Sequence, residues 1–308
     1  MSPYPSLDNT LGALYIGATL AVFLFGLTSL AAVIYFFRCS NDWWFHRYSV
    51  ALLWALDAFH AALTTHLLYF YFVKHFGDFA MLDIPVWSFK LQSTIKMLIV
   101  IWVQGLYAIR LWKLGRHFPK TLPWLVFLAV GAVFGVGIFS LRYAYIAPRL
   151  SDLRNEKAAV YAIFCVIPTS DFIIAISMCY YLYQMRTVTS HSKMATLLLL
   201  LMRFILVSGM ATSTCSLLSL ITYIAWPDSL IFFAFDFVLP KLYINSLLAM
   251  FITRKDHQTQ FLGTDCNSAT PTPIVFRKTS EIHGNGRDET VCTFPRWSAR
   301  GKSIFTRF

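Results

Sequence analysis

The residues with chemistry to offer are ionisable or polar side chains inside long apolar runs: Asp57, His60, Thr64, Lys96, Arg142, Asp171, Arg203, Asp236, Lys241 and Asn245. A charge at the centre of hydrocarbon costs about 3 kcal/mol or more unless it is partnered, so such groups normally face the interior of a helix bundle. Asp57, His60 and Thr64 are spaced i, i+3, i+7 and share one helix face. A carboxylate beside an imidazole can hold its tautomer or share its proton. The triplet therefore reads either as an interhelical packing network or as a step in proton transfer. Lys241, Asn245 and Leu248 form a second stripe, with Pro240 just before it. A proline removes one helical hydrogen bond and kinks the helix, which shapes space beside the stripe. Pro168-Thr169-Ser170-Asp171 repeats the arrangement.

Depth counted from the ends of the apolar runs sorts these charges into layers of opposite sign. Asp57 and Arg203 share an inner layer. Asp171 and Lys241 lie near the midplane, where the spacing predicts that they interact. Asp236 faces the depth of Lys96 and Arg142 towards the outside. Read functionally, this is a polar pathway or ligand pocket. Read structurally, it is a set of ion pairs that fixes helix packing. Both readings demand the same residues.

Catalytic and metal chemistry find little support. No nucleophile–base pair stands out, and neither CxxC nor HExxH occurs. His60 and His66 are six residues apart, roughly 240° around a helix, so they face different directions and make a poor ligand pair. The expectation is no metal, no cofactor and no enzymatic activity. Of the six cysteines, Cys165, Cys179 and Cys215 lie inside apolar runs, Cys39 at a boundary, and Cys266 and Cys292 in the C-terminal tail. No disulfide framework is implied.

The elements that must position these residues follow from composition. Of 308 residues, 57% are hydrophobic and only 13% are charged, where an ordinary globular domain has about 25% charged. A soluble chain of this length could not hide so much apolar surface. Seven apolar segments run over residues 11–37, 49–73, 91–112, 122–146, 158–183, 195–224 and 229–253. Each exceeds the roughly 20 residues that cross a bilayer as a helix. Backbone amides in lipid must be satisfied within the segment, and the runs lack the alternation of barrel strands. Tyr15, Trp43, Trp44, Trp87, Trp112, Trp124 and Trp226 sit at the ends as interfacial anchors. The fold class is all-α: a polytopic membrane protein with a seven-helix bundle.

Orientation follows from Lys and Arg between the spans. One side collects seventeen and the other five. By the positive-inside rule, residues 1–10 are extracellular and residues 254–308 form a basic cytosolic tail, disordered by its composition. The expected location is the plasma membrane or another secretory-pathway membrane. The net charge of +11 is then mostly a positive-inside excess facing an anionic leaflet. It is no nucleic-acid signature, and the lipid bilayer is the implied partner. In the tail, Arg277-Lys278-Thr279-Ser280 and Arg296-Trp297-Ser298 resemble basic-directed phosphorylation sites. Gly131-x-x-x-Gly135, followed by Gly137, gives the fourth helix a thin face suited to close packing, within the bundle or in a homodimer.

Several motifs taken together carry a family resemblance. They are Leu56-Asp57-x-x-His60-x-x-Leu63-x-x-His66-x-x-Tyr69-x-Tyr71, Trp87-Ser88, Gln104-x-x-Tyr107-Ala108-x-Arg110-Leu111-Trp112, Ser170-Asp171 and Lys241-Leu242-Tyr243-x-Asn245-Ser246-Leu247-Leu248-Ala249. Over residues 10–257 the chain resembles a large fungal family of seven-helix membrane proteins, catalogued as a domain of unknown function defined by helices five to seven. In that family the last motif usually continues Leu-Asn-x-Arg, where this chain has Met250-Phe251-Ile252-Thr253-Arg254. The resemblance implies an architecture and no substrate or catalytic residue.

Three functions fit. The first is a sensor or receptor, in which a small ligand occupies a polar pocket inside the bundle. The second is a small-molecule or proton transporter or channel. The third is a structural or accessory membrane protein.

Overall fold

The computed structural model describes residues 11–39, 43–76, 81, 84–114, 121–146, 157–188, 192–226 and 231–268. The seven apolar runs form seven helices: α1 (Ala13–Arg38), α2 (Trp44–Tyr69), α3 (Trp87–Leu114), α4 (Thr121–Ile146), α5 (Lys157–Val188), α6 (Ser192–Ala225) and α7 (Ile231–Ser268). All seven are long and apolar enough to cross a membrane, and no strand occurs among the described residues. The protein is a multipass membrane protein of the seven-helix class.

The chain divides into two compact units, Met1–Thr259 and Gln260–Phe308. In the second, the described residues 260–268 are helical, and residues 269–308 of the expected tail lie outside the described set, as do residues 1–10. α7 runs past the expected end of the span at Thr253. The residues that follow, Arg254-Lys255-Asp256-His257-Gln258, contain no Gly or Pro, and Arg, Lys and Gln are good helix formers.

α2 also departs from expectation, starting at Trp44 rather than near residue 49. Trp44 and Tyr48, one turn apart, meet edge to face with ring centroids 4.6 Å apart, within the added turn that carries the aromatic anchor. At its other end α2 widens into a π turn, Phe70–Lys74. The Tyr71 hydroxyl there donates to the Ile84 carbonyl at 2.9 Å, tying the turn to the approach of α3.

α1 and α4, the most apolar helices, are the least buried, while α3 is the most buried of the seven. Ile99, Val103 and Leu111 of α3 are inaccessible, together with Leu53 of α2 and Ile244, Leu247 and Leu248 of α7. At one end of the bundle Phe251 of α7 joins three helices. Its ring lies 5.8 Å from Tyr35 of α1 and 5.3 Å from His46 of α2. The Arg110 guanidinium of α3 stands 4.5 Å from the same ring.

Small residues permit close approaches between helices. A Cβ on Gly17 of α1 would lie 2.4 Å from the Ala234 Cα of α7, so these backbones nearly touch. On α4, a Cβ at Gly137 would meet only the flexible Met97 Cε, at 2.7 Å. Gly131 and Gly135 are exposed, and a Cβ there would meet nothing within 4 Å. Within one copy of the chain, the thin face of α4 therefore packs through Gly137 alone.

Candidate functional site

α7 carries the centre of the polar interior because two of its side chains leave in opposite directions. Lys241 and Tyr243 are two positions apart, about 200° around a helix. Lys241 reaches α2. Its Nζ donates to the Asp57 carboxylate, and to the Asp57 backbone carbonyl at 3.0 Å. Both side chains of this ion pair are fully buried. The Phe25 ring of α1 lies under the ammonium, 5.4 Å from its centroid, adding a cation–π contact. The Asp57 Oδ2 atom is buried with no hydrogen-bond partner among the described residues.

Tyr243 reaches α5 on the other side, where its hydroxyl donates to Asp171 Oδ2. The Thr212 hydroxyl of α6 donates to the same oxygen at 3.1 Å, and the Gln104 amide of α3 donates to Oδ1 at 2.9 Å. The same amide reaches Ser170 Oγ at 2.8 Å. Asp171, Gln104, Ser170, Thr212 and Tyr243 are all buried. Three helices thus converge on the carboxylate of a fourth through neutral groups only.

α3 links these centres to the rest. Gln92, Lys96, Val100 and Gln104 recur every fourth residue and line one slowly turning stripe. The Gln92 amide donates to Thr64 Oγ1 at 2.8 Å, and the Thr64 hydroxyl donates to the His60 carbonyl at 2.9 Å. Lys96 pairs with Asp236 of α7 at 2.5 Å, with both side chains slightly accessible, at 12% and 18%. Val100, buried at 2% exposure, interrupts the stripe between Lys96 and Gln104.

Several expected partners change. Asp57 meets Lys241, not Arg203, which is exposed on α6. Asp171 meets Tyr243, Thr212 and Gln104, not Lys241. Asp236 does pair with Lys96, but Arg142 is exposed on α4. The early start of α2 explains the first change. Counted from Trp44, Asp57 lies thirteen residues into the helix, close to the middle and level with Lys241. Asp57, His60 and Thr64 do share a buried face. Asn245, half-buried, leaves this network and donates to the Leu24 carbonyl of α1 at 3.2 Å.

Gln92, Gln104, Ser170, Thr212 and Tyr243 were not legible as site residues from charge alone. The signal for the two glutamines is the fourfold spacing with Lys96 along one helix. The two hydroxyl residues carry no such signal, because Ser and Thr elsewhere in the spans bond back to their own helix, and the tyrosine carries no charge to mark it.

The Gln92–Thr64 bond offers a measurable tie between α2 and α3. Gln92→Leu and Thr64→Val, singly and together, should show a coupling of about 0.6–1.7 kcal/mol in thermal or chemical unfolding, the range of interhelical hydrogen bonds in membranes. Strict additivity would mean that the bond contributes nothing.

This arrangement defines a seven-helix membrane protein with a buried, charged interior. Within it, residues 168–256 match a family described as a family of unknown function (DUF6534). The matched stretch runs from Pro168 of α5 into α7 and contains Asp171, Thr212, Lys241 and Tyr243, while Asp57, Lys96 and Gln104 lie outside it. No curated protein and no solved structure matches the chain.

Proposed function

We propose that the protein is a seven-helix sensor or receptor, with the N-terminus outside and the C-terminus in the cytosol, in which a small ligand resets the position of α7. The observation that carries this reading is the double attachment of α7, to Asp57 through Lys241 and to Asp171 through Tyr243. Pro240 lies inside the helix just before these residues, and its missing hydrogen bond makes that turn the natural bending point. A ligand that competes for one of these attachments would release α7 to bend at Pro240, an equilibrium it can bias by differential contact.

A transporter or channel reading draws on the same buried charges. Against it stands the break in the polar stripe at Val100, which leaves the Lys96 and Gln104 levels without a continuous chain of polar groups on α3. Purified protein in liposomes under an imposed pH gradient should pass protons no faster than empty vesicles. At least one compound from a lipid and small-metabolite library should raise the melting temperature of the wild type and not of Tyr243→Phe. Proton flux abolished by Lys241→Met would replace the receptor reading with the transport one.

The orientation has its own test. Nine Lys and Arg follow the last span and none precedes the first. A tag placed after Phe308 should therefore resist added protease in intact cells and become digestible after permeabilisation. Its digestion in intact cells would invert the topology.

A further inference from the structure

We propose that the interior crevice at the Lys96–Asp236 ion pair, between α3 and α7, is a binding site for a neutral amphipathic alcohol, a molecule with an apolar body and a hydroxyl head. This gives the receptor reading a ligand class, and its test measures occupancy alone, so each can fail without the other.

Space comes first. Lys96 and Asp236 are 12% and 18% exposed, although they stand well past the first residues of α3 and α7, Trp87 and Ile231, roughly 14 and 8 Å along those helices. That exposure does not face lipid. The lipid face of α3 carries Leu98, Trp102 and Ile109, all exposed, and Lys96 is two positions from Leu98, about 200° around the helix. α7 has no exposed residue over 231–253, and each of residues 231–236 is half-buried. The opening at the ion pair is therefore inside the bundle, beside the first turns of α7.

The pair has hydrogen-bonding capacity left over. Lys96 spends one N–H on Asp236 Oδ1 at 2.5 Å. Among the described residues, its other two N–H groups and Asp236 Oδ2 have no hydrogen-bond partner. These groups are available as they stand, with no rearrangement. In hydrocarbon each unmade bond is costly. Donors and an acceptor lie side by side, so the complement is a head that both accepts and donates. A hydroxyl is the smallest such group: it accepts from Lys96 and donates to Asp236 Oδ2. The ion pair is already neutral, and a charged head would leave an uncompensated charge in the span.

The walls set the body. Phe232 and Phe233 lie one turn before Asp236, and Phe89 lies two turns before Lys96 on the same face. Phe89 and Phe233 meet edge to face with ring centroids 5.1 Å apart. The Phe232 ring lies 4.1 Å from Phe233 and 5.5 Å from Tyr223 of α6. The ion pair is thus approached past rings from α3, α6 and α7. Apolar walls with a few polar groups at the base are the usual make-up of a small-molecule site. An alcohol of this kind can enter from the bilayer or from water, and the same groups would hold it.

The test uses the full-length protein in phosphatidylcholine nanodiscs, with a diazirine-bearing octanol as photolabel. Labelling of residues 89–96 and 232–236 should saturate. Unlabelled octanol should compete, and octane at equal concentration should not. Lys96→Met with Asp236→Leu keeps the site neutral and removes the partners of the hydroxyl, so it should weaken binding by about tenfold or more. Lys96→Gln with Asp236→Asn keeps a donor and an acceptor and should retain most of the affinity. Should the apolar variant not fold, the contrast between octanol and octane in the wild type decides. Loss of the labelling in cholesterol-containing nanodiscs would support the site with an occupant drawn from the bilayer, and labelling unchanged by cholesterol would support it with one drawn from water. Non-saturating labelling, equal competition by octane or unchanged affinity in the apolar variant would overturn the proposal. So would labelling confined to lipid-facing residues such as Leu98 and Trp102, the mark of simple partitioning into the bilayer.

Discussion

Lys241→Met should destabilise the bundle by about 3–5 kcal/mol, the cost of stranding one member of a buried ion pair. The ammonium and the Asp57 carboxylate are both fully buried, so no water can replace the lost partner. The variant leaves Asp57 facing a thioether, with its Oδ2 already unpartnered. Asp57→Asn should cost a comparable amount by leaving the lysine unneutralised, though its backbone carbonyl still accepts from Nζ at 3.0 Å. The double variant should recover much of the loss, because two neutral side chains in that place need no charge compensation. At roughly 2–4 °C per kcal/mol, each single change lowers the melting temperature by about 10 °C. Melting curves of all four proteins in nanodiscs check this. Equal losses that simply add in the double variant would mean that the pair does not couple. Lys96→Met is the natural comparison. Its pair with Asp236 is partly accessible, so the same kind of change there should cost distinctly less.

Gly17→Leu should separate α1 from α7. The Cβ of any side chain at that position would lie 2.4 Å from Ala234 Cα, 2.6 Å from its Cβ and 2.9 Å from its carbonyl oxygen. These are mostly backbone atoms, so no change of rotamer relieves the clash and the helices must move apart. Overpacking costs about 1–3 kcal/mol and sometimes more. Gly17→Leu should lie at or above the top of that range. Separation would also loosen the Asn245 bond to the Leu24 carbonyl and the Phe25 ring under Lys241. Even Gly17→Ala should destabilise, and Ala234→Gly should not rescue it, because the Cα and carbonyl remain in the way. Gly26→Ala on the same helix is the control. A Cβ there meets nothing within 4 Å, and alanine is the better helix former by about 1 kcal/mol. Unfolding of Gly17→Ala at the wild-type temperature would show that the approach of the two helices is looser than this geometry.

The difference between the two predictions shows what kind of information each needs. That Lys241 must be neutralised is evident from its place in the middle of an apolar run. Its partner is another matter, since depth counted from the span ends pointed to Asp171 and the structure gives Asp57. Counting residues from the span ends misplaced Asp57, because α2 begins at Trp44 and not near residue 49. The Lys96–Asp236 pair was legible because both lie towards the same end of long, well-bounded helices. Gly17 gave no signal of its own. A lone glycine in an apolar helix looks the same whether it faces lipid, as Gly26 does, or touches another backbone.

By itself the sequence determined seven helices and the common face of Asp57, His60 and Thr64. Both follow from local rules: a backbone in hydrocarbon must close its own hydrogen bonds, and a helix repeats every 3.6 residues. Only the tertiary structure decided that α7 lies between Asp57 and Asp171, that Asp171 is met by neutral donors from α3, α6 and α7, and that Arg203 and Arg142 stay outside. Those choices depend on which helices adjoin and on how each is rotated and shifted along its axis. A residue's depth constrains its partners to a layer. The packing of small residues such as Gly17 against Ala234 sets the rotation that picks one partner from that layer.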